Sequence, residues 1–193
     1  MPLPSKTEIR AEVARYRNVT RRRPPESLIE ATGPGEESVW DFPRPPEVQA
    51  VAALLSVSFA GETIAETRAG LRVVETAGAP VYYVPPGDLR REVLRPVPDH
   101  WSLCEWKGVA VYFDIVLGGR VSERAAFAYP DPLDDLGRGF DRIKDHVAFY
   151  AGRVDAARVG GVPVTPQPGG FYAGWITPGL RGPIKGVPGS EAW

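Results

Sequence analysis

The sequence predicts a mainly β protein, with a short N-terminal helix and an extended C-terminal arm rich in proline and glycine. Three observations carry this reading. Glycine and proline each supply 21 of the 193 residues, too many for a helical protein and suited to short strands joined by turns. From Leu54 onward, short runs alternate apolar with polar residues and stop at glycines or prolines. Gly118-Gly119 separates two such runs and is the clearest hairpin signal in the chain.

The elements follow in order. Residues 5–19 predict an amphipathic helix, with Ser5 as cap, Glu8 three positions on, and Ile9, Val13 and Tyr16 as the apolar stripe. Pro24-Pro25 ends it and a linker runs to Gly35. The stretch Trp40 to Pro46 holds too many prolines for a central strand. It reads as an extended segment anchored on the core by Trp40 and Phe42. Leu55 to Phe59, Thr63 to Thr67, Leu71 to Thr76 and Val81 to Val84 read as strands. Pro85 to Asp88 breaks the sheet and opens a helical turn. After the central hairpin, Pro130 to Gly139 is a loop. His146 to Tyr150 and Val154 to Val159 are two more strands, and Gly160-Gly161 is a turn. From Pro163 to Trp193 the tail is expected to wrap the body or to be partly disordered. The expected organisation is therefore an N-terminal helix and linker (1–35), a β-domain (36–160) and a C-terminal arm (161–193).

The central hairpin permits a residue-level expectation. With Gly118 and Gly119 as a two-residue loop, Leu117 faces Arg120 and the ladder follows. Lys107, Val109, Val111, Phe113, Ile115 and Leu117 share the face that reads as core. The other face carries Gly108, Ala110, Tyr112, Asp114 and Val116. An uninterrupted register sets Gly108 opposite Tyr129, Ala110 opposite Phe127 and Tyr112 opposite Ala125. Rings then lie across from small residues, either as packing or as the floor of an aromatic pocket.

Composition bounds the function. A chain of this length buries roughly 70% of its unfolded surface and needs no metal or disulfide to hold it. One cysteine excludes an internal disulfide and any multi-cysteine zinc cluster, and no metal or cofactor is expected. No apolar run reaches about 18 residues and no apolar signal core opens the chain, so the reading is cytoplasmic, with no membrane partner. Residues 1–24 carry seven Lys/Arg against two Asp/Glu, a local +5 that leaves −6 for the remainder of a chain of net charge −1. Arg21-Arg22-Arg23 invites an RNA- or membrane-binding reading, but the acidic body favours a solvated helix face and tail and argues against a nucleic-acid partner.

The candidate site residues gather around the hairpin. Cys104, single and close to His100 and Lys107, is the candidate catalytic nucleophile, since a reactive thiolate needs a neighbouring cation or base. In an extended strand Cys104 and Lys107 point to opposite sides, and only a tight turn before Lys107 brings them together. The bland alternative is a small buried hydrophobe. Lys107 ends an otherwise apolar row, where it either meets an anion or aromatic face or extends its stem toward water. The candidate ligand-binding set is Tyr83, Trp106, Lys107, Gly108, Tyr112, Phe127, Tyr129 and Asp131. Core packing alone explains the aromatics more often than not, and Asp131 between two prolines is most simply a turn former. His146 reads as a surface or satisfied core residue.

Several stretches resemble the family catalogued as domain of unknown function 427. They are Glu37-Ser38-Val39-Trp40-Asp41-Phe42-Pro43-Arg44-Pro45-Pro46, Val81-Tyr82-Tyr83-Val84-Pro85-Pro86, Cys104-Glu105-Trp106-Lys107-Gly108-Val109-Ala110 and Tyr129-Pro130-Asp131-Pro132. The resemblance covers roughly residues 36–160, and the tail from Gly169-Gly170-Phe171-Tyr172 to Trp175-Ile176-Thr177-Pro178 looks like an extension seen in some members. The chain departs from the common pattern at Glu105, where members place proline, and at Phe127, where they place tryptophan. The resemblance implies two antiparallel sheets leaning together like a tent, an architecture also known in methionine sulfoxide reductase B and the thalidomide-binding domain of cereblon. Those proteins hold a four-cysteine zinc that this chain cannot build. The family is sometimes labelled nucleotidyltransferase-like, but no Asp-x-Asp pair after a Gly-Ser turn supports that chemistry here.

Three functional expectations follow. The first is a β-domain that binds a small flat, anionic or nucleobase-like ligand in an aromatic pocket without catalysis. The second is a thiol-dependent enzyme using Cys104, activated by Lys107 or His100. The third is an interaction module, including a homodimer formed through the terminal arms. Residues alone do not decide whether the protein is an enzyme.

Overall fold

The computed structural model describes residues 3–193, so the first two residues of the expected N-terminal extension lie outside the described residues. The chain is mainly β, with one α-helix and several antiparallel sheets. Helix α1 (Lys6–Arg17) begins with the capping box read from the sequence: the Ser5 hydroxyl accepts from Glu8 N–H at 3.3 Å, and the Glu8 carboxylate accepts from Ser5 N–H at 2.7 Å. Ile9 and Val13 bury against Val109 and Leu133. Tyr16 departs from the expected stripe. It is exposed and its hydroxyl turns back to Glu12 at 3.2 Å.

After α1 come β1 (Glu37–Ser38), β2 (Glu47–Ala50), β3 (Leu55–Phe59), β4 (Glu62–Thr67), β5 (Leu71–Val74) and β6 (Val81–Tyr83). Between β1 and β2, Trp40 and Phe42 are buried as anchors, as their place among prolines predicts. Strands β2, β5 and β6 form one antiparallel sheet. Strand β7 (Leu94–Cys104) is concealed in the sequence by Pro96 and Pro98. It occupies a sheet edge and pairs with β8 alone, with a bulge between Pro96 and Trp101, so the missing N–H groups break no inner ladder.

Strands β8 (Gly108–Leu117) and β9 (Arg120–Ala128) are the expected hairpin, and Gly118 and Gly119 both take positive φ. Leu117, Val116 and Ile115 pair with Arg120, Val121 and Ser122 as the turn dictates. Beyond that point the uninterrupted register is wrong. Phe113 pairs with Ala126, Tyr112 with Phe127 and Val111 with Ala128, so Asp114 alone stands opposite Glu123, Arg124 and Ala125. The bulge has a visible cause: Arg124 takes φ 48°, and its N–H donates to the Asp114 carboxylate at 2.8 Å. A slip of two residues keeps every side chain on its original face while changing its partner. Tyr112 and Phe127 therefore still share a face, but ring lies across from ring rather than from alanine.

The remaining elements are β10 (Val147–Phe149), β11 (Ala156–Val159), β12 (Val162–Pro163), β13 (Thr165–Pro166), β14 (Trp175–Ile176) and β15 (Leu180–Arg181). Two four-stranded antiparallel sheets result, β10-β9-β8-β7 and β12-β11-β3-β4. The main core lies where their side chains meet, with Leu55, Phe59 and Ile64 against Ile115, Ala126 and Phe149. The tail contributes to it: Trp175 is fully buried, its ring 5.1 Å from Tyr82, and its indole N–H donates to the Phe149 carbonyl at 2.9 Å. Strand β15 pairs in parallel with β1, and the Trp193 ring meets Trp40 edge-on at 5.6 Å. Val84 and Val147 exchange both backbone hydrogen bonds at 2.9 Å, which fastens the end of β6 to β10. That junction sets Tyr83 beside Phe127, with ring centroids 6.2 Å apart. Among the described residues no helix is long and apolar enough to cross a membrane.

Candidate functional site

A cavity of about 270 Å³ opens at this junction, close to the lower end of the range of small-molecule sites. Tyr83 comes from β6, Ser102 and Cys104 from β7, Ala110 and Tyr112 from β8, Phe127 from β9, and Lys107 from the β7–β8 turn. Phe127 is the hub of the aromatic wall. Tyr112 and Tyr129 lie 6.0 Å from its ring centroid and Tyr150 lies 5.5 Å away. Ser102 Oγ and Tyr112 Oη share a hydrogen bond of 2.7 Å.

The turn before Lys107 is tight. Cys104 pairs with Gly108, leaving Glu105, Trp106 and Lys107 as a three-residue loop closed by Gly108 at φ 85°. A side chain at Gly108 would also press on Leu133, whose Cγ lies 3.2 Å from the position of a Cβ. The loop turns Lys107 inward. The residue is only 8% exposed, and its Nζ lies 5.4 Å from the Tyr129 ring and 5.9 Å from the Phe140 ring. Burial works against its charge, but the neighbouring Cys104, Tyr83 and Glu75 groups outweigh burial and hold the ammonium protonated above the ordinary lysine range.

Burial also pushes up the Tyr83, Tyr129 and Tyr150 phenols, keeping them neutral donors at physiological pH. Tyr83 is fully buried and its hydroxyl has no hydrogen-bond partner among the described residues. A buried orphan hydroxyl costs stability unless something accepts from it. Four cations, Arg21, Arg44, Lys107 and Lys185, line the cavity against two carboxylates, Glu75 and Glu105, a difference of +2. Glu75 and Glu105 are both engaged by Arg44, and Glu105 also lies 3.8 Å from Arg21.

The sequence-predicted residues divide. Tyr83, Cys104, Lys107, Tyr112, Phe127 and Tyr129 line this cavity together. Trp106, Gly108 and Asp131 are not part of its lining. The Trp106 indole N–H donates to Glu75 at 3.1 Å, with the Arg17 and Arg44 guanidiniums over its ring at 5.7 and 5.4 Å, so it steadies the wall from behind. The expected Gly108–Tyr129 opposition does not form, because the bulge shifts the register and Leu133 fills the space over Gly108. Asp131 is exposed and pairs with Lys6 at 2.7 Å on the α1 side. His100 packs against the Tyr112 ring at 4.8 Å.

Tyr150, Tyr172, Lys185, Ser102, Arg21, Arg44 and Gln167 also line the cavity and were not read from the sequence. Gln167 is buried. Its side chain accepts from Ala79 N–H at 3.0 Å and donates to the Lys185 carbonyl at 2.9 Å, clamping the tail beside the cavity. The one available signal was the aromatic spacing of the tail, which gave no direction in space.

Fold and site together define a mainly β protein with an aromatic, cationic cleft between sheet edge and tail. The chain belongs to the family described as Domain of unknown function (DUF427), whose match spans residues 47–160. No curated protein matches the chain.

Proposed function

We propose that this protein binds a small, flat, anionic ligand in the aromatic cavity, without covalent chemistry. The observation that carries the reading is the convergence of two buried groups on one aromatic wall. Lys107 and Tyr83 both line the cavity, and the buried Tyr83 hydroxyl has no hydrogen-bond partner among the described residues. An anionic oxygen entering there accepts from both, while its flat body packs on Phe127, Tyr112 and Tyr150. The two four-stranded sheets leaning as a tent, with the C-terminal arm closing one side of the cleft, belong to the same reading. So does a cytoplasmic small-metabolite partner rather than a nucleic acid.

The test is a thermal-shift panel of flat carboxylates, phosphates and sulfonates beside their uncharged parents. A ligand at a hundred times its Kd adds about 2.7 kcal/mol, or very roughly 5–10 °C in midpoint. Anions shifting the midpoint while their neutral parents do less supports the reading. A panel with no shift removes it.

A second reading, thiol chemistry at Cys104, draws on the turn that brings Lys107 to the cysteine's side of the strand. It predicts fast, pH-dependent alkylation of the native protein. Labelling that appears only on unfolding disposes of it.

A further inference from the structure

Arg21, Arg44 and Thr76 line a second depression as well as the aromatic cavity. This depression is about 130 Å³ and is otherwise bounded by Arg22, Arg23, Trp40 and Trp193. The arginine run therefore does more than solvate a helix end. Arg23 stacks over Trp40 at 5.5 Å and reaches Glu26 at 3.4 Å, so it is held in place. Arg44 is occupied by Glu75 and Glu105. Arg21 lies 3.8 Å from Glu105, yet its Nε is buried with no hydrogen-bond partner among the described residues. Among the described residues the depression's lining contains four arginines and no aspartate or glutamate. Lys185, on the cavity side, donates to the Trp193 main-chain oxygen at 2.8 Å.

Resting on the reading of the aromatic cavity, we propose that the ligand is a phosphate monoester of an aromatic ring system. The ring occupies the Phe127 cavity, and the phosphate passes Arg21 into the arginine-lined depression. Guanidiniums suit this role because their forked donors match phosphate oxygens in pairs, which an ammonium cannot do. The phosphate takes up the spare Arg21 donor, and Arg22 lies on the same wall. The room suffices for one tetrahedral group, since this depression has about half the volume of the first.

Calorimetric titration of matched probe pairs tests this: phenol with phenyl phosphate, 1-naphthol with 1-naphthyl phosphate, and inorganic phosphate alone. The expected result is that at least one monoester binds ten-fold or more tighter than both its parent alcohol and inorganic phosphate. That increment should shrink as salt rises. The Arg21→Gln and Arg22→Gln double variant should lose the increment while keeping the affinity for the parent alcohol. Circular dichroism establishes that the variant is folded; Arg22→Gln alone, at a more exposed position, serves if it is not. If the increment survives the variants, the phosphate subsite is overturned and the aromatic-cavity reading stands. If alcohol and monoester bind alike, or the monoester binds no better than inorganic phosphate, both are overturned. If no member of either pair binds, both readings fall.

Discussion

The Lys107 ammonium lies 5.4 Å from the Tyr129 ring centroid, with both residues buried at the end of the central hairpin. A lysine so placed is costly to bury, and a cation over an aromatic face recovers only part of that cost, on the order of 2 kcal/mol when desolvated. A buried cation at the wall of a cavity is what the proposed anion site requires.

Lys107→Met should therefore separate binding from stability. Methionine fills the same channel without a charge, so the variant should be as stable as the parent or up to roughly 2 kcal/mol more so. Affinity for any anionic ligand should fall about ten- to a hundred-fold, the loss of one charge-assisted bond worth roughly 1.5–3 kcal/mol. Denaturant unfolding and calorimetric titration read the two effects independently.

Stability should drop at alkaline pH. Lys107, Tyr83, Tyr129 and Tyr150 all have folded-state pKa values raised above their ordinary ones, because burial holds the phenols neutral and the surrounding groups hold the ammonium charged. A raised folded value means that the native state keeps its protons longer, so the stability these groups contribute is complete below about pH 10 and is lost above it. A pH series of unfolding midpoints should be flat on this account up to about pH 10 and fall beyond. Spectrophotometric titration should show these tyrosines ionising only as the chain unfolds.

Trp175 should be the costliest single truncation in the tail. The ring is fully buried against Tyr82 and its N–H satisfies the Phe149 carbonyl. Trp175→Ala is expected to cost about 3–5 kcal/mol. Trp175→Phe keeps most of the apolar area but strands the carbonyl, and should cost roughly 1–3 kcal/mol. Chemical denaturation distinguishes the two. A tail that merely lay on the surface would give losses within about 0.5 kcal/mol.

The bulge opposite Asp114 should be tunable. Asp114→Ala removes the acceptor for Arg124 N–H, an exposed bond, and should cost about 1 kcal/mol. Arg124→Gly relieves a left-handed backbone at φ 48° and should be neutral or stabilise by up to about 1 kcal/mol. Equilibrium unfolding of the two variants checks the pair.

Much of this fold was legible because its signals are local. The Ser5–Glu8 capping box, the Gly118-Gly119 turn and the Trp40 and Phe42 anchors each depend on a few neighbouring residues, and each stands where the pattern put it. The bulge was not legible, since it depends on Arg124 adopting a conformation that its residue type rarely takes and on a carboxylate ten positions away. Strand β7 was hidden by prolines that only an edge position excuses. Half of the cavity wall arrives from distant segments, Arg44 before the hairpin and Tyr150, Tyr172 and Lys185 after it. No periodicity reports such convergence. The two-residue slip explains why the aromatic face survived a wrong register: parity was conserved although partners were not.

The central claim is that Lys107 and Tyr83 receive an anion at the aromatic wall. Two-dimensional NMR of the native protein, with tyrosine and phenylalanine rings isotope-labelled, tests it most directly during a titration with benzoate, a flat carboxylate. Saturable shifts of Tyr83, Tyr112, Phe127 and Tyr129, absent in the Lys107→Met protein, are the predicted result. Shifts confined to Tyr16 on the exposed face of α1, or identical shifts without the Lys107 ammonium, would contradict it.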